Sequence, residues 1–229
     1  MAQIEGVKAA VANAPLPVVE MFHSLQGEGI HAGRSAFFIR LGGCSVGCSW
    51  CDTKHSWPAE VHPHQPCASL AEAAVEAVTN GAGFVVITGG EPLHHDLSEL
   101  CGALRLELGH TKGTSVPLHL ETSGVDPLSG SFDWITLSPK RHKPPMSQLL
   151  AACHELKVVV HEAEDLAFAQ AMAENASRSR SGFTETKGPA LLLQPGHDCP
   201  EGQQLAIDFV KANPQWRLSL QTHKLLGVR

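Results

Sequence analysis

The feature that most constrains the fold is a recurrent one: a short apolar run that stops abruptly at glycine and polar residues. Ser35–Leu41 runs into Gly42-Gly43-Cys44, Phe84–Thr88 into Gly89-Gly90-Glu91-Pro92, and Pro117–Glu121 into Thr122-Ser123-Gly124. Later runs repeat the pattern: Trp134–Leu137 stops at Ser138-Pro139-Lys140, Glu155–Val160 at His161-Glu162, Ala190–Leu193 at Gln194-Pro195-Gly196-His197, and Trp216–Leu220 at Gln221-Thr222-His223-Lys224. Continuous apolar runs of this length suit parallel strands covered on both faces. Helical spacing lies between them. Ser69-Leu70-Ala71-Glu72 reads as a capping box opening a helix that buries Leu70, Ala74, Val75 and Val78 and ends near Asn80-Gly81. Leu97, Leu100, Leu104 and Leu108 mark a second helix, and 163–175 and 203–213 fit two more. Alternating strand and helix with polar clusters at successive strand ends is the layout of a parallel barrel whose site gathers at one rim. Residues 122–133 contain two glycines and a proline, too little for a crossover helix, and 140–153 has space for a turn or two. The expected fold class is therefore α/β, a partial, opened (β/α) barrel with some helices reduced to loops.

One of these strand ends is a metal loop. Cys44, Cys48 and Cys51 follow a C-x3-C-x2-C spacing, with Gly42, Gly43 and Gly47 letting the backbone bend so that three sulfurs can face one centre. Two occupants fit: zinc, with His55 as fourth ligand, or a four-iron cluster with one iron left for a non-protein ligand. Seven cysteines, an odd number, argue for reduced ligands and against a disulfide framework. Cys67, Cys101, Cys153 and Cys199 are scattered and read as ordinary core or surface thiols. His62, His64, His94 and His95 lack helical metal spacing and read as surface residues. A net charge of −6 without any Lys/Arg block argues against a nucleic-acid duplex as main partner and favours a small molecule. With 43% hydrophobic and 17% charged residues, no membrane-length apolar run and no secretory h-region, the expected location is the cytoplasm, with no membrane partner. The expected organisation is an N-terminal arm over 1–17 and a single domain over 18–229, in which 177–188 is a surface insertion.

The order of strand, cysteine loop and Thr88-Gly89-Gly90-Glu91-Pro92 resembles radical S-adenosylmethionine enzymes. Phe22–Gly29, Phe38–Cys44, Cys51-Asp52-Thr53, Glu121–Gly124, Ser138-Pro139-Lys140 and Gln221–Lys224 narrow the resemblance to the 7-carboxy-7-deazaguanine synthases, from about residue 18 to Arg229. The resemblance implies a radical S-adenosylmethionine fold and a lyase acting on 6-carboxy-5,6,7,8-tetrahydropterin with loss of ammonia, in the deazapurine (queuosine) pathway. It also implies one 4Fe-4S cluster on Cys44, Cys48 and Cys51, S-adenosylmethionine on the open iron, and Mg2+ on Thr53. Trp50 then shields the cluster, or is a plain core residue. Cofactor contacts implied are Gly90, Glu91, Glu121, Thr122, Ser123, Ser138, Pro139, Lys140, Gln194, Pro195, Gly196 and His197. Substrate contacts implied are Leu25, Gln26, Gly27, Glu28, Thr88, His223 and the C-terminal Arg229. Arg40 joins them on chemistry, since a carboxylated substrate needs a cation; the ordinary reading of a strand arginine is a salt bridge. A flavodoxin- or ferredoxin-like electron donor and a homodimer complete the implied partners.

Overall fold

The computed structural model describes residues 15–109, 115–180 and 188–229. Nine strands among them form one sheet: β1 (Pro15–Leu25), β2 (Ser35–Leu41), β3 (His64–Pro66), β4 (Val85–Gly89), β5 (Leu118–Thr122), β6 (Trp134–Leu137), β7 (Glu155–Val160), β8 (Ala190–Pro195) and β9 (Trp216–Leu218). Their order is β3-β1-β2-β4-β5-β6-β7-β8-β9, with β1 antiparallel to both its neighbours and every pairing from β2 to β9 parallel. The sheet does not close, as an opened barrel requires. Six helices accompany it: α1 (Cys67–Thr79), α2 (Ser98–Leu108), α3 (Ser147–Ala152), α4 (Ala163–Ser179), α5 (Pro200–Ala212) and α6 (Thr222–Leu226). No helix lies between β5 and β6, and the β6–β7 crossover carries only the six residues of α3.

Strand alternation sorts the side chains into two faces. Ile39 and Leu41 of β2, Ile87 of β4, Leu120 of β5 and Leu156 of β7 are fully buried in the core beneath the helices. Leu70, Ala71 and Ala74 of α1 and Leu100 and Leu104 of α2 complete that core without exposure. The other face carries a small apolar cluster of Ala36, Phe38, Phe84 and Val86, with Phe22 stacked on Phe38 at 4.9 Å. Nearer the C-terminal strand ends, the positions of that same alternation are Arg40, Thr88, Glu121, Thr136, Lys157 and Gln194. The concave interior is thus apolar or aromatic at its base and polar at its rim.

Three expectations change. Pro15–Pro17 are not part of an arm, because they start β1 and pair with His64–Pro66, a strand absent from the sequence reading; residues 1–14 lie outside the described residues. Pro15 opens β1 and Pro66 lies on the edge strand β3, places at which a sheet tolerates proline. The Ser69–Glu72 capping box does not form. β3 feeds the chain directly into α1 at Cys67, with Pro66 as the N-cap and no side-chain cap. A capping box does occur at α4, where Asp165 accepts from the Glu162 backbone N–H at 3.2 Å and Glu162 answers from the N-cap. Finally, 177–179 of the expected insertion is the last turn of α4, and 181–187 lies outside the described residues.

Candidate active site

Two adjoining cavities occupy the rim. The first is lined by Cys44, Cys48 and Cys51 together with Gly89, Gly90, Ser138 and Lys140. The second is lined by Leu25, Gln26, Gly27, Arg40, Thr53, His223 and Arg229. Glu28, Asp52, Glu121 and Gln221 line both, and so form the seam between them.

The cysteine loop is fastened from outside. Its Gly43 and Cys44 backbone N–H groups donate to the Ser56 and Trp57 carbonyls at 2.8 and 3.0 Å, and Glu91 N–H donates to the Gly43 carbonyl at 2.8 Å. His94 Nε2 accepts from the Ser45 backbone N–H at 2.9 Å, and His95 Nε2 bonds the Gly42 carbonyl at 2.7 Å. These two histidines are therefore braces of the loop, half-buried, where the sequence reading made them surface residues. Gly90 must lack a side chain because a Cβ there would lie 2.8 Å from Cys44 Cβ and 2.5 Å from the Gly43 carbonyl oxygen. Its close approach is to the cysteine loop itself. Burial pushes the Cys44 and Cys48 thiols up, so that thiolates there call for a neutralising cation. Three sulfurs on one cavity, set on a glycine-rich loop, suit a cluster held with one ligand missing. His55, the fourth ligand of the zinc alternative, is exposed and does not line the cavity. Trp50 is 41% exposed and packs against the His142 and His161 rings, so it is not a core tryptophan.

Of the residues implied for the cofactor, Glu121, Thr122, Ser123, Gln194, Pro195 and His197 also line the first cavity, whereas Glu91, Pro139 and Gly196 do not. Glu91 is buried and its carboxylate is occupied: Oε1 accepts from Leu93 N–H at 3.1 Å and from the Thr122 hydroxyl, and Oε2 from the Ser123 N–H at 2.8 Å and the Ser123 hydroxyl. It organises the strand end that the cavity displays. Lys140 donates to Ser138 Oγ at 2.8 Å, and burial pulls its ammonium below the usual lysine range.

The second cavity is built on charges. Arg40 sits in register between Glu20 and Thr88, and its Nε donates to Glu20 Oε1 at 2.9 Å while the guanidinium lines the cavity. Arg229 approaches the other Glu20 oxygen at 3.4 Å, and its carbonyl oxygen accepts from the Ser24 hydroxyl at 2.7 Å. Thr88 lines the first cavity, not the second. Its hydroxyl donates to Glu121 Oε2 at 2.9 Å, and Gln26 Nε2 donates to Glu121 Oε1 at 2.9 Å. Gly27 is where α6 docks: Thr222 N–H donates to its carbonyl at 2.9 Å, and a Cβ would overlap the His223 ring. Thr53 Oγ1 stands 3.5 Å from Cys51 Sγ, a hydroxyl between the thiol loop and the second cavity.

Sequence reasoning missed Lys157, Asp52, Gln221 and Lys224. Lys157 pairs with Glu28, Gln221 donates to the other Glu28 oxygen at 2.8 Å, and Lys224 donates to Asp52 at 2.6 Å. Burial raises Glu28, but the Lys157 ammonium and the bonds from Lys157 and Gln221 outweigh it and hold the carboxyl below its ordinary range. For Lys157, burial lowers the value, and Glu28, Glu121 and Glu155 together drive it above the ordinary lysine range. The one sequence signal was a lysine two residues after a glutamate in an otherwise apolar strand, which places both on the inward face.

An open, mostly parallel sheet whose C-terminal rim carries a three-cysteine loop against a paired-glycine turn defines a radical S-adenosylmethionine fold. No protein-family model matches the chain. It is 54% identical over 220 residues to the 7-carboxy-7-deazaguanine synthase of Prochlorococcus marinus, covering 93% of this chain and 98% of that one. The Synechocystis enzyme of the same name is 47% identical over 93% of each chain, and the Escherichia coli enzyme 33% identical over 93% of this chain and 98% of its own. The crystal structure of QueE from Escherichia coli superposes with a TM-score of 0.72 at 32% identity, covering 91% of this chain and 95% of that one. The chain belongs to the 7-carboxy-7-deazaguanine synthase family. Among the described residues no helix is long and apolar enough to cross a membrane.

Proposed function

We propose that this chain converts 6-carboxy-5,6,7,8-tetrahydropterin to 7-carboxy-7-deazaguanine with release of ammonia, as a radical S-adenosylmethionine carbon–nitrogen lyase. The observation that carries the reading is the seam: two cavities, one thiol-lined and one charge-lined, share Glu28, Asp52, Glu121 and Gln221. A cofactor in the first and a pterin in the second would meet there. Cys44, Cys48 and Cys51 would hold the 4Fe-4S cluster, which when bound supplies one electron to the sulfonium of S-adenosylmethionine. Gly90, Ser138, Lys140, Gln194, Pro195 and His197 line the space for the rest of that cofactor; the Lys140 ammonium suits a carboxylate and the backbone groups suit an ammonium.

For the pterin, Arg40 and Arg229 present cations to the carboxylate, while Glu28 and Glu121 present acceptors to the N–H groups of its guanidine-like edge. Thr53 would supply a single hydroxyl to Mg2+, which keeps its remaining positions for water and substrate oxygen. The half-exposed Trp50 beside Cys48 marks the side from which a flavodoxin- or ferredoxin-like donor would approach, and a homodimer and cytoplasmic location complete the proposal.

Reconstituting the protein anaerobically with iron and sulfide and supplying carboxypterin, S-adenosylmethionine, reductant and Mg2+ tests this reading. Stoichiometric deazaguanine acid and ammonia are expected, with turnover dropping on magnesium chelation. A loaded protein that cleaves S-adenosylmethionine but leaves the pterin intact would overturn the substrate assignment.

A further inference from the structure

Lys157 is a cation where strand chemistry asks for an apolar residue. It lies between Leu156 and Val158 of the helix-side core, is 6% exposed, and points into the concave interior. A buried ammonium is destabilising unless paired. Its partner is Glu28, and Glu28 is fixed on every side. Gln221 donates to its second oxygen, and its backbone N–H donates to Gln26 Oε1 at 3.2 Å. The same Gln26 side chain turns its amide N–H toward Glu121, so the two carboxylates of the seam are set by one network.

The charges facing this pair come from each element packed around it. Glu121 comes from β5, Glu155 from β7 itself, Lys140 from the end of β6 and His223 from α6. Glu155 is tied to the Ile30 backbone N–H at 3.0 Å, and Lys140 to Ser138. Neither can take over the contact that Lys157 makes. Three carboxylates around a small polar space then depend on one ammonium, since like charges in a low dielectric do not all stay ionised.

We propose that Lys157 is the positioning residue of the substrate cavity, keeping Glu28 a fixed carboxylate at the seam so that it accepts the parallel N–H groups of the pterin edge. The inference rests on the substrate reading above. A carboxylate accepts two such donors; a carboxylic acid turns one of its own donors against them. Lys157 itself touches Glu28 and works through it.

Binding of 6-carboxypterin, an unreactive aromatic analogue, followed by pterin fluorescence between pH 6 and 9, tests the idea without turnover. Wild type is expected to hold its affinity until the pterin ring N–H itself ionises toward the alkaline end of the range, and each variant is read as a ratio to wild type at the same pH. Lys157→Met should bind on the order of a hundredfold more weakly at neutral pH and recover as the pH rises, while Lys157→Arg stays within a few-fold of wild type. Glu28→Gln should bind weakly at every pH, and the Glu28→Gln/Lys157→Met double variant should bind as Glu28→Gln does. The double variant leaves no lone charge buried, so it carries the comparison if Lys157→Met does not fold. A Lys157→Met loss that is independent of pH, or that adds in full to the Glu28→Gln loss, overturns the inference alone. Glu28→Gln binding as tightly as wild type overturns the substrate reading of Glu28 and the inference with it.

Discussion

The two cavities are built differently. The thiol-lined one is held by contacts of shorter range: Ser45 bonds His94 across 49 residues, Ser123 bonds Glu91 across 32, Thr122 bonds Glu91 across 31, and the longest on the cysteine loop, Lys143 to Ser45, spans 98. Away from the seam its lining is thiols, glycines, hydroxyls and the Lys140 and Lys157 ammonium groups, and the buried Glu91 carboxylate behind it is consumed inside the protein. The seam and the charge-lined cavity are closed by partners far apart: Glu28 with Lys157 over 129 residues, Asp52 with Lys224 over 172, Ser24 with Arg229 over 205. The thiol wall is held through backbone groups, while the seam and the cavity beyond it present ion pairs whose existence depends on the whole sheet being folded.

Removing a thiol of the first cavity gives the largest expected effect. Cys48→Ala leaves two thiols, too few to retain a cluster, so anaerobic reconstitution should yield a protein without the brown absorbance and with little iron. Because the sheet core lies on the helix side of β2, the thermal unfolding midpoint of the unreconstituted variant should stay near that of wild type. Full iron retention would show that the three cysteines are not the ligand set. Next in size is Glu91→Gln. The amide turns a donor toward groups that already donate, leaving buried hydrogen bonds unmade at a cost of about 2–4 kcal/mol. Calorimetry should show a midpoint lowered by roughly 5–10 °C. The charge-lined cavity should be affected only indirectly, so carboxypterin binding at low temperature is expected to survive. Equal loss in both cavities would break the distinction drawn between them.

That distinction also explains what the sequence disclosed. Motifs such as Thr88–Pro92 and the cysteine spacing are local, and local geometry can be read from glycine placement and strand ends. The open parallel sheet followed from apolar runs and from the lack of space for a helix over 122–133. Hidden from it were β3, too short and proline-flanked to show a period, and the histidine braces, which reach the loop through the Ser45 N–H and the Gly42 carbonyl, groups with no residue signature. Lys157, Gln221 and Lys224 were hidden for another reason. A single charge carries no label for a partner more than a hundred residues away, and only the alternation of Glu155 and Lys157 in an apolar strand marked an inward cation.

A pH series sharpens the contrast with a smaller effect. Glu28 has its folded value depressed, so its pairing stabilises the protein above the ordinary carboxylate range and is lost as the pH falls through that range toward the folded value. Glu155, raised by burial, works in the opposite sense: its ionised form burdens the folded state at neutral pH, and acid relieves it. Denaturant titrations from pH 7 down to pH 3 should therefore show a flatter acid slope in Glu28→Gln than in wild type and a steeper one in Glu155→Gln. Identical slopes in all three proteins would mean that neither group is perturbed on folding.

The smallest effect belongs to the outermost contact. Lys224 and Asp52 are 27% and 41% exposed, so water and salt screen the pair, and it contributes about 0.2–1 kcal/mol to stability. Its position gives it more leverage over binding. Asp52 directly follows Cys51 and precedes Thr53, and it also accepts from Gln221 at 3.4 Å, so it ties α6 to the cysteine loop at the seam. Burial raises the Asp52 carboxyl, but Lys224 more than compensates and leaves it below the ordinary range, which keeps the tie ionised at neutral pH. Lys224→Met is therefore expected to leave the unfolding midpoint within about 2 °C of wild type. KM for carboxypterin should rise a few-fold with kcat nearly unchanged, because a loosened α6 weakens binding of substrate and transition state alike. The rise should shrink at high ionic strength, where wild type loses the same contact. A fall in kcat with unchanged KM would place the pair in the reaction itself, and would make the charge-lined cavity a catalytic surface as well as a binding one.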